Sequence, residues 1–256
     1  MLRLYMDTIH LPVPALPRLF DGLRILHLSD LHITRWTPRL TRWRRRLGRL
    51  RPDLAVITGD LGHRSWRWRQ SLPHILHLLQ AVHSPLGFYF ILGNHDSPEL
   101  GPALVEQGFV MLANQSVILK RGLQRLALIG LAQHRRLDTD IPTALRGVWP
   151  GDCKLMLMHY PDLVQAAAAA GADVCLAGHT HGGQICLPDG RPLIRQDTLP
   201  PRLCTGVHRM GRTWLVINRG IGKAGLRVRL FCPPQAIMLV LHRAAGVDDG
   251  TINYLT

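Results

Sequence analysis

The chain has 256 residues, 46% of them apolar, enough to bury a substantial core in one large domain or two small ones. Its formal net charge of +14 comes almost wholly from arginine and favours anionic partners: nucleic acid, phosphorylated metabolites or an acidic membrane surface. The five cysteines are scattered without a CxxC pair, which argues against a zinc knuckle or a disulfide framework, and no run approaches the ~18–20 apolar residues of a membrane span.

Residues 1–22 read as a short strand and a proline-punctuated lead-in, with charge and proline interrupting any signal-peptide-like apolar region. Apolar runs then alternate with helical periods. LRILHLS (23–29) is a strand and TPRLTRWRRRLGRL (37–50) a helix. DLAVITG (53–59) is a strand, SLPHILHLLQAV (71–82) a helix and LGFYFILG (86–93) a strand. This alternation predicts βαβ units and a largely parallel sheet. After residue 108 the chain reads as successive strands with a turn at Arg121-Gly122. A strand over 154–161, a glycine-closed helix over 162–171 and a strand over 173–179 follow, and most apolar runs from there to 242 read as strands. With no internal repeat and no dividing linker, residues 1–256 are expected to form one α/β domain with two sheets.

Polar residues gather where the strands end. Asp30 and His32 follow the first strand, Asp60 the second, and Asn94, His95 and Asp96 the third; His159, then His179 and His181, follow two later ones. Ligand sites of α/β sheets form outside the carboxyl ends of strands, and residues two apart in an extended segment face the same way. A lone strand-end aspartate is usually a turn or cap residue. His10, His27, His63, His74, His77, His83, His134, His208 and His242 lack such company and read as ordinary residues. The ordered conjunction of five segments defeats that plain reading for the others. Imidazole, carboxylate and amide donors without thiolate suit manganese, iron or zinc. Seven ligands sharing one carboxylate fill two positions ~3.5–4 Å apart, a clamp for the attacking and leaving oxygens at phosphorus.

Asp-x-His, Gly-Asp, Gly-Asn-His-Asp, a lone His and Gly-His-Thr-His, in that order over residues 24–181, resemble the calcineurin-like metallophosphoesterases. The resemblance implies a four-layer αββα sandwich of two mixed β-sheets flanked by helices. It implies one divalent metal on Asp30, His32, Asp60 and His181, and a second on Asp60, Asn94, His159 and His179, with Asp60 bridging. His95, oriented by Asp96, is then expected at the phosphate and leaving oxygen, with a metal-bridging hydroxide attacking in line. The segments GHTHGGQICLP and INRGIGKAGLRVRLFCPPQAIMLVL, with the lead-in, are similar to the bacterial YkuE/YaeI-type branch. That branch includes phosphodiesterases and a pyrophosphatase acting on UDP-2,3-diacylglucosamine, a lipid A precursor. Its members often carry a membrane-spanning or export leader; none is read here, so a cytoplasmic location is expected, peripheral at the inner face of the membrane. Tyr160 departs from the asparagine common after the lone histidine.

Residues 35–51 contain eight arginines and two tryptophans, and HRSWRWRQ (63–70) continues the theme. Leu40, Trp43, Leu47 and Leu50 recur at helical spacing, which gives a surface helix with this stripe inward and arginine in solvent. Both stretches start beside the strand-end residues, where basic charge and tryptophan suit an anionic bilayer surface or an amphipathic substrate. Single-stranded nucleic acid fits the same residues by stacking. The expected activity is therefore a two-metal phosphohydrolase acting on a lipid-linked nucleotide. The alternatives are a nuclease or cyclic-nucleotide phosphodiesterase with the same centre, and a non-catalytic scaffold. Asn94, His95 and Arg219 are the candidate substrate-binding residues. Gly182-Gly183-Gln184 receives no role.

Overall fold

The chain enters on β1 (Tyr5–Pro12) and crosses to β2 (Leu23–Leu28). It then alternates through α1 (Pro38–Leu47), β3 (Leu54–Thr58), α2 (Trp68–Leu79), β4 (Phe88–Ile91), α3 (Leu100–Val105) and the short β5 (Val110–Met111). The hairpin of β6 (Gln115–Arg121) and β7 (Gln124–Gly130) leads to α4 (Ile141–Ala144), β8 (Cys153–Leu157), α5 (Val164–Ala169) and β9 (Val174–Ala177). β10 (Gly206–Met210), β11 (Thr213–Ile217) and β12 (Gln235–His242) complete it. This computed structural model describes residues 4–63, 65–193, 200, 203–225 and 228–244. Arg64 of the second basic stretch, residues 1–3 of the lead-in, residues 226–227 inside the last C-terminal segment and residues 245–256 lie outside them.

Two six-stranded sheets form, in the orders β1-β12-β2-β3-β4-β5 and β10-β11-β9-β8-β7-β6. Each is mixed. β2 through β5 run parallel, as do β7, β8, β9 and β11. β12 runs antiparallel to β2, and β6 and β10 close the second sheet as antiparallel partners of β7 and β11. The largely parallel expectation thus holds for β2–β5 and for β7, β8, β9 and β11, and fails at the β12–β2 pair inside the first sheet and at the outer strands β6 and β10 of the second.

Strand parity makes the layers. Ile25, Val56 and Ile91 of the first sheet meet Leu128, Leu155 and Leu176 of the second in a core between the sheets. The alternate residues Leu26, Ile57 and Phe90 face outward against Leu40, Trp43, Leu47, Ile75 and Leu78 of α1 and α2. Ile129, Met156 and Cys175 likewise face Ala144, Val164 and Ala167 of α4 and α5. Strands buried on both faces read as unbroken apolar runs, as LAVIT does. The result is the expected αββα sandwich of two mixed sheets.

Helix α1 starts where Thr37 Oγ1 accepts from Leu40 N at 3.3 Å with Pro38 in the first turn. Leu40, Trp43 and Leu47 are buried, while Arg42, Arg45 and Arg49 are exposed. Helix α2 begins at Trp68, three residues before the expected start, because Trp68 extends the packed stripe of Leu72, Ile75 and Leu79 upstream. Pro73 therefore sits inside the helix and removes one i→i−4 bond.

Candidate metal centre

β2, β3 and β4 of one sheet and β8 and β9 of the other deliver the expected residues to one cluster. Asp30 and Asp60 are fully buried, as are His159 and His181; His32 is nearly so, and Asn94, His95 and His179 are half-buried. Loops from both sheets meet there. His179 N donates to Asp30 Oδ2 at 3.0 Å, and His95 N donates to Asp60 Oδ1 at 2.8 Å.

The donor atoms converge in two overlapping groups. In one, His32 Nε2 lies 3.0 Å from His181 Nε2, and His181 Nε2 lies 3.5 Å from Asp30 Oδ1. In the other, His159 Nε2 lies 3.0 Å from Asn94 Oδ1 and 3.3 Å from His179 Nδ1. Asp60 Oδ2 stands between, 3.4 Å from His32 Nε2 and 3.6 Å from His159 Nε2. Two donors that each bind one ion at ~2.0–2.2 Å stand about 3–3.5 Å apart at ordinary bond angles. The separations match that spacing. His159 Nδ1 donates to Thr58 O at 2.8 Å, which fixes the tautomer and leaves the Nε2 lone pair facing the cluster.

Electrostatics favour a cation here. Burial pushes Asp30 up to about 7, with the Asp60 charge adding to it, and pushes Asp60 well above the usual carboxylate range, with Asp96 adding its repulsion. Burial likewise drives His32 and His181 well below the ordinary imidazole value, with neighbouring imidazoles and Arg229 adding to it. Buried carboxylates short of positive charge beside neutral imidazoles are the donor set a divalent metal requires.

Other placements refine the expectations. Asp96 accepts from Gly62 N at 2.8 Å and Gly93 N at 3.0 Å, so it ties the β3 and β4 loops together and positions His95 through the backbone. Arg219, expected to reach phosphate, places its guanidinium 3.5 Å from Asp7 Oδ2 on β1. The Gly-Gly-Gln segment gains a structural account. Gly182 holds φ 61°, and a Cβ there would stand 2.6 Å from Arg219 Cγ. Gln184 clamps the 219–225 loop by bonds to Ala224 O and N at 2.9 and 3.0 Å.

Three neighbours escaped the sequence reading. His63, read as ordinary, lies with Nδ1 3.2 Å from His32 Nδ1, and its ring centroid is 5.4 Å from that of His95. Gln133 Oε1 accepts from the backbone N–H groups of His159 and Tyr160. Arg229 is buried, with Nη2 3.2 Å from His181 Nδ1 and its guanidinium bonded to the carbonyls of Arg219 and Gly222. The Tyr160 ring packs edgewise on His179 at 4.5 Å.

A layered sandwich that brings imidazoles from both sheets and buried carboxylates from one of them to a common cluster offers the donor set of a divalent-metal site, the kind that hydrolases of phosphate esters use. Comparison with known proteins agrees. Residues 23–183 match the family described as Calcineurin-like phosphoesterase. The chain belongs to that family and is a metal-dependent phosphoesterase. It is 29% identical over 241 residues to the uncharacterised metallophosphoesterase YkuE of Bacillus subtilis, covering 88% of this chain and 81% of that one. Phosphodiesterase YaeI of Escherichia coli is 27% identical over 239 residues, covering 85% and 82%. UDP-2,3-diacylglucosamine pyrophosphatase LpxG of Chlamydia trachomatis is 27% identical over 292 residues, covering 88% and 86%.

Proposed function

We propose that this phosphoesterase cleaves a pyrophosphate or phosphodiester bond in a lipid-linked nucleotide such as UDP-2,3-diacylglucosamine. In this reading residues 1–256 act as one domain, and Asp30, His32, Asp60, Asn94, His159, His179 and His181 hold two divalent metals. The observation that carries the two-metal reading is Asp60 Oδ2, a single oxygen within 3.6 Å of a donor nitrogen in each group. When bound, the metals supply Lewis acidity that activates water near neutral pH and offsets charge on the phosphoryl oxygens; manganese, iron and zinc all suit these donors.

The protein's own groups do the rest. Asp60 Oδ1 accepts from His95 N, which holds the His95 loop against the cluster while leaving its imidazole half-exposed. Burial, then His63 and His159, keep the His95 pKa below its ordinary value, so the ring is neutral and acts by an N–H bond to the leaving or phosphoryl oxygen. Asp96 acts through position, not contact with substrate. Asn94 presents its amide to the same space.

Support for the lipid-linked substrate comes from the name carried by LpxG and from the basic surface at 35–70. There Trp66 is exposed with the Arg67 guanidinium 4.2 Å over its ring, and Arg42, Arg45 and Arg49 face solvent. No helix among the described residues is long and apolar enough to cross a membrane. Peripheral attachment at the inner face of the membrane, in the cytoplasm, is part of the same proposal, and the basic surface supports it through attraction to anionic headgroups.

The test is a kcat/KM comparison at matched manganese between UDP-2,3-diacylglucosamine, oligonucleotides and cyclic nucleotides. The lipid-linked nucleotide is expected to lead; a lead for either of the others transfers the same centre to that substrate. Asn94→Ala and His95→Ala are each expected to lower turnover ~10²–10³-fold with circular dichroism unchanged. Full activity in both would refute the roles given above.

A further inference from the structure

A cavity of about 220 Å³ adjoins the cluster and shares His32 and His63 as walls. We propose that it is a subsite for a second phosphoryl group of the substrate, held by Arg39 and Lys223. This rests on the phosphohydrolase reading and deepens it: the enzyme is selective for substrates with two consecutive phosphates.

Size comes first. A drug-sized ligand fills ~300–1,000 Å³, so this cavity accepts one group of a substrate and not the whole. Charge comes next. Arg35, Arg39 and Lys223 line it, and no carboxylate is among its described lining residues. Arg39 and Lys223 are half-buried, whereas Arg35 is exposed and contributes mainly to the surrounding field. Burial and then Arg42 lower the Arg39 pKa; burial, then Arg39 and Arg229, lower that of Lys223. These cations oppose one another, and an anion between them relieves both.

Geometry holds the pair in place. The Arg39 guanidinium lies 5.0 Å over the Trp43 ring, and Trp43 is itself buried, so the arginine is braced from the core side. Lys223 comes from a different segment, the loop that Gln184 clamps at Ala224. Thr37 also lines the cavity, so the first turn of the ten-residue α1 adds its positive end to the field.

Position then decides orientation. The His32 ring lies 5.1 Å from that of His95, and the cavity opens from His32 and His63. The second phosphoryl group is therefore on the Asp30, His32 and His181 side of the cluster, away from His159 and His179. A substrate with a single phosphodiester leaves this cavity without an anion.

The experiment is isothermal titration calorimetry of UDP and of UMP against the full chain loaded with excess manganese. Wild type is expected to bind UDP at least ~10-fold more tightly than UMP, a difference of about 1.4 kcal/mol. Arg39→Gln and Lys223→Gln should each remove most of that preference, and Arg39→Lys should retain most of it; thermal melts report whether each variant is folded. Equal UDP and UMP affinities in wild type overturn the subsite irrespective of any variant. So does a UDP preference that survives both folded glutamine variants, which would place the second phosphate on the metals alone. Failure of the underlying reading shows separately, as absence of hydrolysis by wild type, with any divalent metal, of both UDP-2,3-diacylglucosamine and bis(4-nitrophenyl) phosphate.

Discussion

Asp30, His32, Asp60, His179 and His181 hold φ of 49°, 44°, 56°, 70° and 51°, a left-handed region that side chains other than glycine rarely occupy. Such a conformation costs ~1–3 kcal/mol per residue and persists where the surroundings over-determine it. Here it turns each side chain back across the strand end toward a common point. Gly178 shows how tightly the point is enclosed, because a Cβ on it would overlap Ser29 Oγ and Asp30 Oδ2. Gly178→Ala is expected to destabilise the protein by ~1–3 kcal/mol and weaken metal binding at least ~10-fold, read by urea unfolding and metal titration. Gly151→Ala, where the added carbon meets no atom within 4 Å, is the control and should change neither. The motif residues were legible because each directly follows an apolar run. His63 and Arg229 were not: they enter through loops whose paths depend on contacts distant in sequence, such as that of Arg229 Nη2 with His181 Nδ1.

The outer-layer helices join this centre to the core. Trp43 of α1 is 4% exposed and packs in the cluster that includes Leu28 and Ile57, each close to the end of a strand that delivers an aspartate. Trp43→Ala removes that packing and the brace for Arg39 together. Its expected cost is ~3–5 kcal/mol in chemical denaturation, a loss that Trp43→Phe should largely recover. A cost below ~1 kcal/mol would mean that α1 is a surface appendage. This stripe was legible because Leu40, Trp43 and Leu47 recur with helical period, and the βαβ alternation was legible for the same reason. α3 and α4 were not: six and four residues are too short to display a period. The arginines of α1 and the turn after it differ in exposure. Arg44 and Arg46 are half-buried and bond to the carbonyls of His77 and Leu4, while Arg42, Arg45 and Arg49 are exposed.

The candidate metal centre sits where the two sheets converge, with Asp30, Asp60 and Asn94 from one and His159, His179 and His181 from the other. Metal removal should therefore loosen the sandwich, and the loss should depend on pH. In the metal-free fold, Asp30 has its pKa raised from 3.8 to about 7. A raised folded value makes the native state bind more protons than the unfolded chain, so this contribution is fully present below pH 3.8 and is lost as pH rises through about 7. Asp60 and Asp96 act in the same sense. His32 and His181 oppose them: with folded values below 6.5, they lose stability as pH falls below 6.5. Above pH 6.5 the imidazoles are neutral in both states, and only the carboxylates still favour protons in the fold. Metal binding displaces those protons. The rise in melting temperature on adding manganese to chelator-treated protein is therefore expected to be larger at pH 8 than at pH 6. An equal rise at both would mean that Asp30 and Asp60 are already ionised without metal, and that the attraction of this buried site for a cation comes from its imidazoles.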